Sequence, residues 1–396
     1  MRPHRSTVLV LAVAAGASVG NLYLLQPLLP PVARAFATTP RAVGVVSMLT
    51  QVGYGAGMFL FVPLGDVLER RRLMLTLLGA TAVALVCVSL APSVPLLALS
   101  SLAVGTTTVV PQLAVPLAAH LAGPEERGRA VGTVMGGLLV GILLARTASG
   151  FLGAHLGWRA VYVIAAGLMI ALGVALRLLL PRSEPDHAMP YPKLLASLFT
   201  ITREEPVLRE AALLGALGFA SFSVFWSTLA FVLEARHGLG SDAAGLFGVL
   251  GAAGALAAPV LGRLADRTSP RTNAGIALAV ALASWALLGL GAASLVALVA
   301  GVLLLDVGIQ GNHVSQLARV HARRPEARSR MNTVYMVTYF AGGAAGTAIG
   351  TWAWTLYGWS GVAVAGAGAI AVALAAWLAG GRTGLAHDSL PPRGAV

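Results

Sequence analysis

One loop signature occurs twice in this chain. The first copy runs Pro63-Leu64-Gly65-Asp66-Val67-Leu68-Glu69-Arg70-Arg71-Arg72, and the second runs Gly262-Arg263-Leu264-Ala265-Asp266-Arg267-Thr268-Ser269-Pro270-Arg271. The two aspartates are 200 residues apart. The echo continues downstream at an offset of 201. Pro124-Glu125-Glu126-Arg127-Gly128-Arg129 answers to Pro325-Glu326-Ala327-Arg328-Ser329-Arg330, and Gly157-Trp158 to Gly358-Trp359. A repeat of this length obliges the chain to build two similar halves.

Composition decides what surrounds those halves. The chain is 57% hydrophobic and 11% charged, against about 25% charged residues in a soluble domain. Its apolar runs are each near the roughly 20 residues that a helix needs to cross a bilayer. Twelve such helices are expected, over 7–30, 42–65, 73–91, 96–121, 131–154, 160–180, 211–233, 243–264, 274–292, 295–318, 332–356 and 362–380. The expectation is an all-α membrane protein: two pseudo-symmetric six-helix bundles at 1–180 and 211–380, a linker at 181–210 and a tail at 381–396. The linker carries Pro181, Pro185, Pro190, Pro192 and Pro206. Duplicated halves in an apolar chain point to a transporter.

The net charge of +12 sits in short loops and forms no continuous basic face, so nucleic acid is not an expected partner. Twenty-two of the 27 lysines and arginines fall on one side of the expected helices and 4 on the other, with Arg146 left inside a helix. The sparse side holds Arg34, Arg41, Arg159 and Arg236. The positive-inside rule then places both termini and the linker in the cytoplasm. Lys193 is the only lysine, which suits a GC-rich bacterial gene, hence an inner-membrane location. Cys87, the single cysteine, lies in an apolar run and is expected to be a small core thiol. No cleavable signal peptide is expected, because the first apolar run is long and Pro27, Pro30 and Pro31 follow it.

The loop signature around Gly65, Asp66, Arg70 and Arg71, with its second copy at Gly262, Asp266, Arg267 and Arg271, resembles the loop motif of the major facilitator superfamily. Within that superfamily, Asn21-Leu22-Tyr23 to Gln26-Pro27-Leu28-Leu29-Pro30, Arg127-Gly128-Arg129 and Arg328 to Tyr335 are similar to a bacterial drug- and metabolite-efflux branch. Val67 and Glu69 depart from the loop motif. Arg146-Thr147 stands where drug antiporters carry a Gly-Pro pair. The resemblance implies that the two loop copies latch the cytoplasmic side onto helices of the opposite half. An aspartate at a helix N-terminus meets the positive end of the dipole; a solvated loop acid is the plainer alternative.

Two ionised side chains stand out within the expected helices, Arg146 and Asp306. Even on a lenient scale a mid-membrane charge costs roughly 2.5–3.5 kcal/mol, so such charges are normally functional. Asp306, Gln310 and His313 share one helical face. Asp306 is the candidate proton carrier, or else one half of a structural pair with Arg146. His313 is either a relay or a hydrogen-bonded helix-end residue. Arg146 could hold Asp306, bridge the halves or attract an anion. Further cavity candidates are Asn21 and Gln26 on the first helix, Thr108 and Gln112 on the fourth, and Phe222, Phe225 and Trp226 on the seventh. Aromatics suit a lipophilic substrate but serve equally in a bundle core. Gly132, Gly136, Gly137 and Gly141, with Gly342, Gly343, Gly346 and Gly350, read as positions of close helix packing, either static or a sliding surface between the halves.

No phosphate-binding loop or metal cluster is present in the sequence, so no cofactor, metal or enzymatic activity is expected. The expected partners are a small-molecule substrate, protons and the lipid bilayer, with the protein a monomer. The expected function is proton-coupled export of a small organic compound. The alternatives are movement of a polar metabolite or organic anion in either direction and, from another class, a non-transporting membrane sensor or intramembrane enzyme.

Overall fold

Prolines and small residues govern how the apolar runs become helices. The computed structural model describes residues 5–123, 125–181, 190–251, 269–324 and 327–382. The first expected helix is interrupted: α1 (Arg5–Gly20) ends, residues 21–25 turn, and α2 (Leu29–Ala35) resumes after a 3-10 turn at Gln26–Leu28. Pro27 and Pro30 sit in the opening positions of these two pieces, where a missing N–H costs least.

Next come α3 (Pro40–Phe61), α4 (Arg70–Leu90), α5 (Val94–Thr107) and α6 (Val110–Leu121). The fourth expected helix is therefore also broken, at Thr108–Val109, just before Pro111. Then follow α7 (Arg127–Leu156), α8 (Trp158–Leu179), α9 (Tyr191–Glu204), α10 (Pro206–Trp226) and α11 (Leu229–His237). The seventh expected helix breaks at 227–228. Residues 241–251 form α12, and residues 252–264 of the expected eighth helix lie outside the described residues. The chain continues through α13 (Pro270–Gly289), α14 (Leu295–His321) and α15 (Arg328–Arg382), the last kinked at Gly358.

Among the described residues, nine stretches are long and apolar enough to cross a membrane. One of them, Arg328–Gly381, carries both the eleventh and the twelfth expected helices on either side of the Gly358 kink. Helix starts obey capping chemistry. Thr39, Ser269 and Ser294 each accept a hydrogen bond from the backbone N–H three residues on.

The described residues group into two compact units. The first holds those of 5–195 and 226–251, the second those of 196–225 and 269–382. In the first unit α1 lies against α7 at very short range. A Cβ added to Gly141 would lie 2.3 Å from Gly16 Cα, and one added to Gly20 would lie 2.8 Å from Ala145 Cβ. In the second unit α10 lies against α15 in the same way. A Cβ on Gly342 would lie 2.2 Å from Ala216 O, and one on Gly346 would lie 2.1 Å from Ala220 O. These are corresponding positions of the repeat, 16 and 20 answering to 216 and 220, and 141 and 145 to 342 and 346. Each half thus repeats one helix pair held by small residues, which stabilise a membrane bundle by close van der Waals approach. Gly132 and Gly136 have open space around them instead.

Two expectations are corrected, and the linker gains detail. Cys87 is exposed on the surface of α4, not a core thiol. In a lipid-facing helix, the apolar run does not tell the inner face from the outer one. The linker contains a 14-residue helix, α9. Its Leu194, Leu198 and Ile201 are buried at spacings of four and three residues, and Tyr191 Oη donates to Leu60 O at 2.7 Å. Arg146 and Asp306 are also not the only buried charges: Glu210, Arg271 and Arg319 join them, as described below.

Candidate functional site

The break in the first helix builds the first site. Its turn frees backbone carbonyls, and α7 supplies partners: Ser149 Oγ donates to Leu24 O. One turn earlier on α7, the Arg146 side chain enters the same region and is only 4% exposed. Its Nε donates to Gln26 Oε1 at 2.8 Å. Its guanidinium lies 4.4 Å from the centre of the Tyr23 ring and 4.2 Å from that of Trp226. Each cation–π contact is worth about 2 kcal/mol when desolvated. A small cavity beside it is lined by Gln26, Arg146, Trp226, Leu229 and Ala244.

The backbones are just as close. Thr147 Oγ1 donates to Gly245 O at 3.1 Å, and a Cβ on Gly150 would lie 2.8 Å from Gly245 Cα. Arg34 and Glu234 form an ion pair at the ends of α2 and α11. Three of the sequence candidates, Gln26, Arg146 and Trp226, therefore meet in one place. Asn21 and Gln112 are directed elsewhere: Asn21 Nδ2 contacts Met169 Sδ at 3.4 Å, and Gln112 Nε2 donates to Tyr54 Oη at 3.2 Å. Thr108 is fully buried at the α5–α6 break.

The second site lies on α14. Asp306 is 2% exposed, with Gln310 and His313 half-buried on the same helix. Asp306 and His313 are seven residues apart, so roughly 10 Å along the axis. His313 Nδ1 and Tyr335 Oη are 3.0 Å apart in a hydrogen bond. The His313 ring is 4.6 Å from Tyr339, which stacks on Phe219 at 4.2 Å; Phe219 stacks on Phe222 at 5.6 Å. A rank of rings thus runs from half-buried His313 to half-buried Phe222. Phe225 is edge-on to Trp359.

Four helices meet at a third cluster. Glu210 on α10 binds Arg271 on α13, Oε1 to Nη2 at 3.0 Å, and pairs with Arg319 on α14. Arg319 Nη1 donates to Gln316 Oε1 at 2.9 Å, and Gln316 Nε2 to Asn312 Oδ1 at 3.0 Å. Trp377 Nε1 on α15 donates to Arg271 O at 3.0 Å. The side chains of Glu210, Arg271 and Arg319 are 8%, 10% and 0% exposed. Arg271, expected in a loop latch, is thus tied inside the second unit. Gly262, Asp266 and Arg267 lie outside the described residues, as does the Asp66 side chain. In the first loop copy Arg70 Nε donates to Gly65 O at 3.1 Å, and Arg71 donates to Arg177 O.

Sequence reasoning missed Tyr23, Phe219, Tyr335, Tyr339, Glu210 and Arg319. Tyr23 and Tyr335 carried usable signals, since both belong to stretches that resemble the efflux branch. Among the described residues no cluster of histidine, cysteine and carboxylate could hold a metal.

The family model described as Major Facilitator Superfamily matches residues 11–321. The chain is 40% identical over 374 residues to the uncharacterized transporter YgaY of Escherichia coli O157:H7, covering 94% of this chain and 95% of that one. It is 30% identical over 281 residues to the chloramphenicol resistance protein of Streptomyces lividans, covering 70% of each. Among solved structures, a bacterial homologue of the human lysosomal transporter Spinster, inward-facing and unoccupied, shares the fold with a TM-score of 0.79 at 19% identity, covering 97% of this chain and 98% of that one.

Proposed function

Because the chain belongs to the major facilitator superfamily, a family of secondary transporters and not of enzymes, we propose that it exports a small organic compound in exchange for protons. The mechanism is alternating access between the sequence halves 1–180 and 211–380. The family fold implies twelve spans in a multi-pass membrane protein, and the bacterial relatives suggest the cytoplasmic membrane. We place both termini in the cytoplasm, on the arginine count, and take the protein to be a monomer. The loop copies around Asp66 and Asp266 serve as the cytoplasmic latch.

One observation carries the proton coupling: Asp306, a carboxyl group 2% exposed in an apolar helix, with Gln310 and His313 along the same side. At a cost of roughly 2.5–3.5 kcal/mol, a carboxylate at such depth needs a task. Exchanging a proton is a task that only an ionisable group can perform. His313, hydrogen-bonded to Tyr335, stands two turns away as the relay. Export of an organic compound is supported by the 30% identity to a chloramphenicol resistance protein. The rank Phe222–Phe219–Tyr339 offers ring faces to a lipophilic substrate. A second reading, transport of an organic anion, draws on Arg146, a cation only 4% exposed.

The test uses inverted vesicles with a compound panel that includes chloramphenicol. Asp306→Asn should abolish uptake driven by a proton gradient while leaving substrate exchange, because the amide mimics the protonated acid. Full gradient-driven uptake in Asp306→Asn would remove the carrier role.

A further inference from the structure

The contact around Arg146 joins segments that the repeat assigns to different halves. Tyr23, Gln26 and Arg146 belong to the first repeat, whereas Trp226 and α12 belong to the second, yet all lie in one compact unit. Gln26 and Trp226 are 200 residues apart, so they are corresponding positions of the two repeats. Both stand at helix breaks, one at 21–25 and one at 227–228. A single arginine is therefore gripped by the same position of each repeat, through a hydrogen bond on one side and a ring face on the other. Around it the joint is made of backbone and small groups: Thr147 Oγ1 on Gly245 O, and Gly150 against Ser241 O and Gly245 Cα. Arg34 and Glu234, also 200 residues apart, close its rim. Arg34 and Arg236 are among the four basic residues assigned to the outer side.

We infer that Arg146 is the bolt of an outer gate, held shut by Trp226 and Tyr23. This rests on the alternating-access reading above. Several features suit a gate better than a permanent core. Two ring faces and an amide oxygen, each from a separate residue, grip the guanidinium. Glycine-to-backbone contacts part without interlocked side chains to withdraw. Trp226 stands beside the break at 227–228, a non-helical step of the kind that can absorb a change of backbone angle. The bolt is also one-sided. The residue corresponding to Arg146 in the second repeat is Thr347, fully buried and uncharged.

The test needs no substrate. In a Cys87→Ser background, Ala244→Cys reports on the outer side and Gln310→Cys on the inner side. The probe is a membrane-impermeant cationic methanethiosulfonate, applied to right-side-out and to inverted vesicles. Trp226→Ala should raise outer labelling about tenfold, equivalent to about 1.4 kcal/mol, and lower inner labelling in the same protein. Trp226→Phe, which keeps a ring face, should stay within about threefold of the parent. If Trp226→Ala fails to reach the membrane, Tyr23→Leu removes the other face and should act in the same direction. Unchanged outer labelling in the folded variants would overturn the gate. So would a parallel rise at both reporters, the mark of a loosened bundle. Loss of the Asp306 coupling result alone would leave the gate standing.

Discussion

Glu210→Gln tests the buried cluster most sharply. The substitution keeps shape and one acceptor oxygen but removes the carboxylate that Arg271 and Arg319 share. Arg319 has a side-chain exposure of 0%, and Arg271 of 10%, so solvent cannot take over the role of the missing charge. Removing one partner of a buried pair costs roughly 3–5 kcal/mol, because the other charge stays behind uncompensated. The glutamine oxygen still receives one guanidinium, which points to the lower end, about 3 kcal/mol. At roughly 2–4 °C per kcal/mol for a unit of this size, the midpoint should fall by about 6–12 °C. The assay is thermal aggregation of the purified protein in detergent, followed by size-exclusion chromatography. Arg324→Gln is the control. Its pairs with Glu204 and Glu205 involve side chains that are partly exposed, 38% for Arg324 and 49% for Glu204, so no measurable shift is expected. Replacing the pair together, Glu210→Leu with Arg319→Met, should cost less than Glu210→Leu alone. A Glu210→Gln midpoint within about 1 °C of the parent would refute the claim that this cluster is charged and shielded.

Two further outcomes follow from packing. Gly346→Leu should prevent accumulation of folded protein, because even a Cβ there would lie 2.1 Å from Ala220 O, whereas Gly132→Leu should be tolerated in open space; fluorescence-detected chromatography of the two variants separates these results, and equal yields would rule out the packing explanation. Cys87, exposed on the surface of α4, should react in membranes with an apolar maleimide much faster than with a charged one. Equal rates would mean that the thiol faces water.

Helices and duplication were legible because they rest on run length and on offsets that any copy must keep. The breaks were half legible. Pro27, Pro30 and Pro111 announce two of them, but the break at 227–228 contains no proline and arises from tertiary packing. Helix α9 was hidden by Pro192, which looked like a breaker yet occupies an opening position of the helix, where proline is at home. Asp306 and Arg146 could be picked out because a charge in an apolar run is conspicuous. Glu210, Arg271 and Arg319 could not, since at the ends of helices they look like ordinary topogenic charges. Their meeting spans 61 and 109 residues of chain. Tyr23 and Trp226 illustrate the same limit: nothing in the sequence says which ring an arginine will choose.

The paired small residues carry one more consequence. A parallel duplication pairs the halves with each other and leaves inside and outside unexchanged, so copied packing serves both halves alike and gives neither a charge of its own. What distinguishes the halves then comes from positions where the copies differ. Arg146 answers to Thr347, and Asp306 answers to Gly105, where even a Cβ would lie 2.0 Å from Thr50 O. At these two positions one half carries a buried cation and the other a buried acid, each where its counterpart is neutral. Substitutions at Gly141 and Gly342 should act through packing, while those at Arg146 and Asp306 should act through charge. In such a protein the charged chemistry that belongs to one half alone is written in the mismatches of the duplication.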